Sequence, residues 1–446
     1  MLRRCAVPLL LVMLASGDAL AQDAHYWTYQ FGTRANLLSG AVVGSVVDLG
    51  AAFYNPGALT LIEEPDIIST QKVFELSDIT YDPDVGVDVS LNHLRLDVAP
   101  GYVAGILPFR FLRNHVLAYS LFTRYLFKAQ LSGAAVGRLE DLDETLSGDF
   151  FTEADVIREL NESWGGLSWS FPLGAKVGFG VSLFGAYRSQ KGSNRVQVQI
   201  LEDLAGLAFS QNQSAYSYWQ FRVLAKAGVT FDWLGNSLGM TVTTPGLGLL
   251  GDGRVLFNNT LAALDTVFVA DYQEGLSPDY QSPLSIALGS ARRWGATTLH
   301  VTGEWFARVD EYNVLDPQDF VGQTTGDTIS LRLTQALDPV VNFAVGLQHD
   351  FQSQLTGYLS FRTDYSARKP EQSSDISAAT WNIYYVTAGG AFRIGTADLT
   401  LGLAFGWGER SGNDVVETLP GDDPVDPPTR ADVSYRSLRA IITFAI

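Results

Sequence analysis

From about residue 65 onward, apolar residues recur at every second position. Leu399, Leu401, Leu403, Phe405 and Trp407 alternate with Thr400, Gly402, Ala404 and Gly406, and Val177, Phe179, Val181 and Leu183 alternate with Gly178, Gly180 and Ser182. A third run sets Leu355, Leu359, Phe361 and Tyr365 against Thr356, Ser360, Arg362 and Asp364. A period of two puts alternate side chains on opposite faces of a strand, not on one face of a helix. Fourteen segments carry the pattern, roughly 66–80, 92–107, 114–129, 160–171, 174–189, 214–231, 236–257, 282–293, 296–308, 339–350, 353–366, 380–394, 397–409 and 432–446. Most exceed the usual strand of about 5–6 residues and are long enough for a bilayer core, which about 9–11 tilted residues cross.

A soluble sandwich also alternates, so the connections decide. Those at Pro108–Arg113, Pro172–Leu173, Asp232–Gly235, Gly295, Phe351–Gln352 and Gly395–Thr396 are short, whereas 130–159, 190–213, 258–281, 309–338 and 410–431 are long. Short turns at one end and long loops at the other are the pattern of an outer-membrane barrel. Lipid offers no partner to a free backbone N–H or C=O, so the sheet must close on itself. The reading is all-β: a transmembrane antiparallel β-barrel of about fourteen strands, residues 65–446. Aromatic residues near strand ends (Tyr119, Tyr125, Trp164, Trp169, Trp219, Trp233, Trp294, Trp305, Trp407) are expected at the headgroup level. The last strand sets Leu438, Ala440, Ile442, Phe444 and Ile446 on one face and Ser437, Arg439 and Thr443 on the other.

Composition fits this picture. The chain has 446 residues, 46% hydrophobic and 17% charged, and no apolar run long enough for a membrane helix. Residues 1–21 read as a signal peptide: Arg3 and Arg4, an apolar stretch from Cys5 to Leu14, and Ala19-Leu20-Ala21 before the cleavage point. Cleavage would remove Arg3, Arg4, Asp18 and the only cysteine, leaving 28 basic and 47 acidic side chains, a net charge of −19. Such a surface repels nucleic acid, and a chain without thiols holds no thiolate metal site. Localisation in the outer membrane of a Gram-negative bacterium follows.

Catalytic motifs fail on context. Gly235-Asn236-Ser237-Leu238-Gly239 has nucleophile-elbow spacing but sits in a turn between two strands, where the motif needs a strand-to-helix turn. Gly246-Leu247-Gly248-Leu249-Leu250-Gly251 matches a dinucleotide fingerprint with no helix after it to hold a phosphate. His25, His93, His115, His300 and His349 have no metal-ligand spacing. The acidic runs at Asp141–Asp149 and Asp422–Asp426 read as solvated loops. We expect no enzyme, no cofactor and no metal. Parity places Arg95, Asp97, Arg124, Lys128, Arg222, Lys226, His300, Glu304, Arg362, Asp364 and Arg439 in the lumen, as a charge network or, for Arg124 and Lys128, as contacts for a ligand carboxylate. Pro100-Gly101 predicts a break in the second strand, because proline lacks the ladder N–H and glycine packs nothing.

Residues 22–64 do not alternate. They are rich in Gly, Ala and Ser, a small-residue segment of a size to fill a wide lumen. Asp48 followed by Ala51-Ala52-Phe53-Tyr54-Asn55-Pro56-Gly57-Ala58-Leu59 resembles the N-terminal hatch of the FadL/TodX outer-membrane transport proteins, and Leu238–Val255 and the last three strands resemble the same family. The resemblance implies a hatch over 22–64 with Asn55, Pro56 and Gly57 in its holding or gating stretch. It also implies passive passage of long-chain fatty acids or hydrocarbons, and lateral release into the membrane, for which Pro100 and Gly101 are the candidate exit. The implied partners are a hydrophobic small molecule, outer-membrane lipid and lipopolysaccharide, with the protein a monomer. A secretion-system accessory barrel and a general porin are the alternatives; the hatch-like segment argues against the second.

Overall fold

The computed structural model describes residues 24–46, 48–62, 68–84, 91–108, 114–138, 147–202, 206–233, 235–262, 266–368, 381–395, 397–410 and 430–445. The expected signal peptide, the loop over 411–429 and residues 139–146 lie outside them.

Among the described residues twenty strands form. They are β1 (Ile68–Asp84), β2 (Leu91–Leu107), β3 (Val116–Arg138), β4 (Gly148–Gly174), β5 (Val177–Glu202), β6 (Gly206–Trp233), β7 (Asn236–Thr243), β8 (Leu247–Ala262), β9 (Val267–Leu276) and β10 (Ser285–Trp294). They continue with β11 (Thr297–Phe306), β12 (Val309–Leu315), β13 (Phe320–Val321), β14 (Thr328–Ile329), β15 (Leu333–Leu337), β16 (Val340–Gln352), β17 (Leu355–Asp364), β18 (Ile383–Ile394), β19 (Ala397–Arg410) and β20 (Arg430–Ala445). Fourteen of them close a ring: β1 to β7, then β10, β11, β16 to β20, with β20 pairing β1 antiparallel. β8 and β9 extend β6 above the ring, and β12–β15 make small hairpins in the long connection after β11.

The ring is amphipathic in the sense opposite to a soluble core. Leu121, Leu183, Leu288, Leu359, Leu403, Phe405, Leu438 and Phe444 are exposed on the outside, while Ser168, Ser182, Thr302, Thr387, Thr400, Ser437 and Thr443 are buried within. A continuous exposed apolar belt of this extent is what a barrel presents to lipid. Short turns gather at one end; Gly235 (φ 76°) and Gly295 (φ 59°) take the left-handed conformation that tight hairpins require.

Four expectations from the sequence change, the first that 236–257 is one strand: β7 ends at Thr243 and β8 begins at Leu247. The segments 130–159 and 190–213 are largely strand, not loop, because β3 to β6 run on well past the membrane belt. Their upper ends carry their own apolar packing, Val196, Val198 and Ile200 against Phe150 and Ala208. The turn expected at Pro172–Leu173 is displaced: β4 continues to Gly174 with a register shift between Pro172 and Gly174. Trp164 and Tyr125 are buried in the lumen and not at the membrane interface. Trp169, Trp219, Trp294 and Trp305 do lie on the outside.

Residues 24–62 run through the lumen. Gly50 leads into a one-turn helix, α1 (Ala51–Tyr54), and a 3-10 helix, Pro56–Leu61, follows. Asn55 separates the two and caps the second, its Oδ1 accepting from Gly57 N at 3.1 Å, with Pro56 at the first helical position where no N–H is needed. Asp48 folds the preceding turn, accepting from Thr33 Oγ1 (2.7 Å), Arg34 N (2.9 Å) and Gly50 N (2.8 Å).

Candidate functional site: the hatch, the lumen cavity and the seam between β2 and β3

The hatch meets the wall in two ways. Against β5, β6, β7 and β10 it lies backbone to backbone. A Cβ on Gly178 would stand 2.1 Å from Gly57 O, one on Gly239 2.1 Å from Val43 O, and one on Gly289 2.5 Å from Gly44 N. Only glycine permits this approach. Asn55, fully buried, ties the contact: its Nδ2 donates to Val43 O (2.8 Å), Val229 O (3.0 Å) and Thr230 Oγ1 (2.7 Å). The three residues the resemblance singled out, Asn55, Pro56 and Gly57, thus sit together where hatch and wall are closest.

On the other side, inward charges hold the hatch. Arg362 Nη2 donates to Thr28 O at 2.8 Å, and Arg439 Nη1 donates to the same carbonyl. Asp364 accepts from Trp27 N (2.9 Å) and Thr28 Oγ1 (3.1 Å). Glu304 accepts from Trp27 Nε1 at 2.7 Å, and His300 pairs with Ser45 Oγ at 2.7 Å. Glu75 accepts from Tyr29 OH (2.9 Å) and Arg439 Nη2 (3.0 Å); its register on β1 gave no sign of this role. The charge network read from parity is therefore realised at these positions. The side chains of Arg95 and Asp97 lie outside the described ones.

Arg124 and Lys128 part company. A register shift falls between Thr123 and Tyr125, so Arg124 occupies a β-bulge. Below it Ser120 and Phe122 face inward; above it Tyr125, Phe127 and Ala129 do. The extra residue flips parity. Arg124 stays inside, donates to Tyr26 O, and its guanidinium packs over Phe53, Tyr125 and Trp164. Lys128 points outward, 44% exposed, and pairs with Glu159 at 2.9 Å. Its expected place in the lumen is corrected by that bulge.

Above the hatch is a lumen cavity of about 60 Å³ bordered by Phe53, Tyr54, Trp164, Lys226, Tyr280 and Phe306. Tyr54 donates to Gln30 Oε1 (2.7 Å) and accepts from Phe31 N (3.0 Å); burial holds its phenol above the ordinary tyrosine range, so it stays a donor. Phe31, Phe53, Phe122, Trp164 and Phe184 form a ring-on-ring cluster, with centroids 4.6 Å apart for Phe31–Phe122 and 5.2 Å for Phe53–Phe122.

That cluster backs onto a fault in the wall. Among the described residues the β2–β3 ladder runs only from Tyr102 opposite Phe122 to Leu107 opposite Leu117. Above Tyr102, β2 pairs with β1 alone, and the β1–β2 register shifts between Thr70, which faces Val103, and Lys72, which faces Pro100. Pro100-Gly101 is therefore where the ladder to β3 stops. Parity again records the extra residue: Leu96 and Val98 point outward below it in number, Val103 beyond it. Tyr102, fully buried at the break, donates to Leu49 O of the hatch.

Among solved structures, the Pseudomonas putida toluene transporter TodX aligns over 93% of this chain and 98% of its own, at 12% identity and a TM-score of 0.57. This is the FadL/TodX fold. A Pseudomonas aeruginosa FadL homologue (12% identity, 94% and 98% covered, TM-score 0.58) and the Ralstonia pickettii toluene transporter TbuX (13%, 93% and 98%, 0.53) share it. At such identities the FadL/TodX likeness is one of fold. No family model and no curated protein matches the chain.

Proposed function

We propose that the protein carries hydrophobic compounds, of the long-chain fatty-acid or hydrocarbon kind, passively across the outer membrane of a Gram-negative bacterium. It does no covalent chemistry. A hydrophobic molecule crosses hydrocarbon freely and is stopped by the charged lipopolysaccharide layer, so a protein need only shield it past that layer. The names of the structural neighbours, toluene transporters and a monoaromatic hydrocarbon channel, support the reading.

One observation carries it: the ladder stops at Pro100-Gly101, beside the aromatic cluster that joins hatch and wall. An unpaired strand edge facing lipid is costly. It is best understood as a side exit, with Phe31 and Phe53 as the movable part and Asn55, Pro56 and Gly57 as the fixed anchor. Cargo would pass from the lumen cavity, along Arg124 and Trp164, into the membrane between β2 and β3. Replacing Pro100 with Val and Gly101 with Thr should restore the ladder and lower uptake several-fold while the barrel assembles normally. Unchanged uptake by an assembled double variant would remove this exit.

A further inference from the structure

β5 is longer than a membrane needs. From Val177, at the short-turn end, to Tyr187 it has the length that takes a tilted strand across a bilayer core. There Tyr187 stacks on Trp219 of β6 at 6.1 Å, both rings turned outward, at the headgroup level. The strand then runs on to Glu202. At about 3.3 Å per residue that is roughly 50 Å along the strand, and at a tilt of about 35–45° roughly 35–40 Å of height. β4 and β6 pair with it to the top, and β8 and β9 widen the sheet beside β6. The inner face of this extension is packed. Val196, Val198 and Ile200 cluster there, and lower down Tyr218 and Phe257 cluster with Val314 and Leu315 of the connection after β11. The outer face is turned to the layer just above the lipid headgroups.

Along the strands this outer face changes its chemistry in steps. Leu183 faces lipid, and Tyr187 and Trp219 follow. The ladder then sets Lys128, Glu159, Lys191, Ser217, Arg254 and Glu274 side by side across six strands. Glu159 is shared by two cations, 2.9 Å from Lys128 Nζ and 2.9 Å from Lys191 Nζ. Arg254 Nε donates to Ser217 Oγ at 2.8 Å, and among the described residues Arg254 has no ion pair. Three cations against two carboxylates make this row positive, in a chain whose net charge is −18. Higher up, Arg195 is neutralised by Asp155 at 2.6 Å and amides take over. Gln213 stands opposite Asn258, and Gln197 stands between Gln211 and Glu153. Gln199 stands between Phe209 and Phe151. The side-chain amides of Gln197 and Gln199 have no hydrogen-bond partner among the described residues. An amide offers donors and an acceptor together, as sugar hydroxyls require, and a ring face packs on the C–H groups of a sugar.

Apolar, aromatic, basic and then amide, in that order away from the membrane, is the order of acyl chains, phosphates and sugars in a lipopolysaccharide. A phospholipid has nothing to place on the upper rows, and a free polysaccharide has nothing to place on the basic row. We propose that the outer face of β4, β5, β6 and β8 docks one lipopolysaccharide of the surrounding leaflet, its phosphates on Lys191 and Arg254 and its first sugars on Gln197, Gln199 and Gln211. Contacts between phosphate and a cationic side chain are the strong ones here, and the amides and rings above them set the register of the sugar chain. A chain this acidic repels phosphate elsewhere, which confines the contact to this face. The docking face stands apart from the lumen and does not depend on what the lumen carries.

The test measures affinity of the whole protein, in detergent, for three probes. They are lipopolysaccharide with its core sugars, lipid A, which keeps the phosphates and lacks those sugars, and lipopolysaccharide stripped of phosphate. Affinity should fall several-fold from the first probe to each of the others. Lys191→Gln with Arg254→Gln should weaken lipopolysaccharide and lipid A alike, several-fold. Gln197→Ala with Gln211→Ala should bring the affinity for lipopolysaccharide down to that for lipid A and leave lipid A binding as it was. Arg436→Gln, an exposed arginine on β20, is the control for charge alone and should change nothing. The substituted side chains all lie on the outside of the sheet, and an unchanged heat-modifiable mobility shift shows that each variant is folded. Three results overturn the docking face: equal binding of the phosphate-stripped probe, an equal loss in Arg436→Gln, or full affinity for lipopolysaccharide in the Gln197 and Gln211 double variant. None of them touches the transport reading.

Discussion

Two seams of the same ring make an instructive pair. Between β5 and β6 the ladder runs from Val177 opposite Phe231 to Glu202 opposite Gly206 without a break. Between β2 and β3 it ends at Tyr102. The unbroken seam is also where the hatch is pressed onto the wall, backbone against Gly178, Gly180 and Gly228. The broken seam is where the hatch offers rings, Phe31 and Phe53 against Tyr102 and Phe122. Close backbone contact with converging hydrogen bonds has one geometry. Stacked rings have several of similar energy and can part. A rigid seam that anchors the hatch and a yielding seam that meets its aromatic face are a division of labour suited to a side exit.

Removing the hatch should have the largest effect. Without residues 24–62 both seams lose their inner support and the lumen has nothing to fill it, so the barrel should conduct ions steadily in single-channel recordings. A barrel as tight as the intact one would contradict the role of the hatch. Next comes the rigid seam. Gly178→Val would drive a Cβ into Gly57 O, and overpacking of this kind costs about 1–3 kcal/mol. The barrel strands should still pair, but the hatch should become sensitive to added protease. A hatch still protected would show that the glycine contact is dispensable.

Breaking the lumen charges should leave the seal in place and act on stability instead. Glu162 accepts from Arg188, from Arg222 and from Trp164 Nε1 at 2.6 Å. Glu162→Leu strands two buried guanidinium groups, a change costing about 3–5 kcal/mol for a single buried pair. The heat-modifiable mobility shift of the barrel should move to lower temperature, and an unchanged shift would mean the charges are relieved by water. The smallest effect is expected at Lys128→Ala, whose exposed pair with Glu159 is worth about 0–1 kcal/mol. Uptake should not change there. A clear loss would return Lys128 to the lumen and overturn the bulge at Arg124.

By itself the sequence determined the class, the fourteen strands of the ring and the face most of them turn to lipid. Period-two alternation is a local property that survives without knowledge of partners, and it placed Leu403 and Phe405 outside and Arg362 and Arg439 inside. It also marked Pro100-Gly101, because the backbone chemistry of those two residues is the same in any context. Tertiary structure decided the rest. Parity counts residues along one chain, and a single bulge at Arg124 resets the count on β3, so Lys128 lands outside while Tyr125 turns inward; Trp164 faces inward on β4, whose own parity is unbroken from Val156 to Ser170. Glu75 and Glu162 became partners of arginines far along the chain only when the ring closed. The break between β7 and β8 falls on the same dipeptide, Pro245-Gly246, but the unpaired stretch it leaves was not legible. It arises where two neighbouring strands fail to meet, and pairing between strands is fixed by the closed sheet and not by either segment alone.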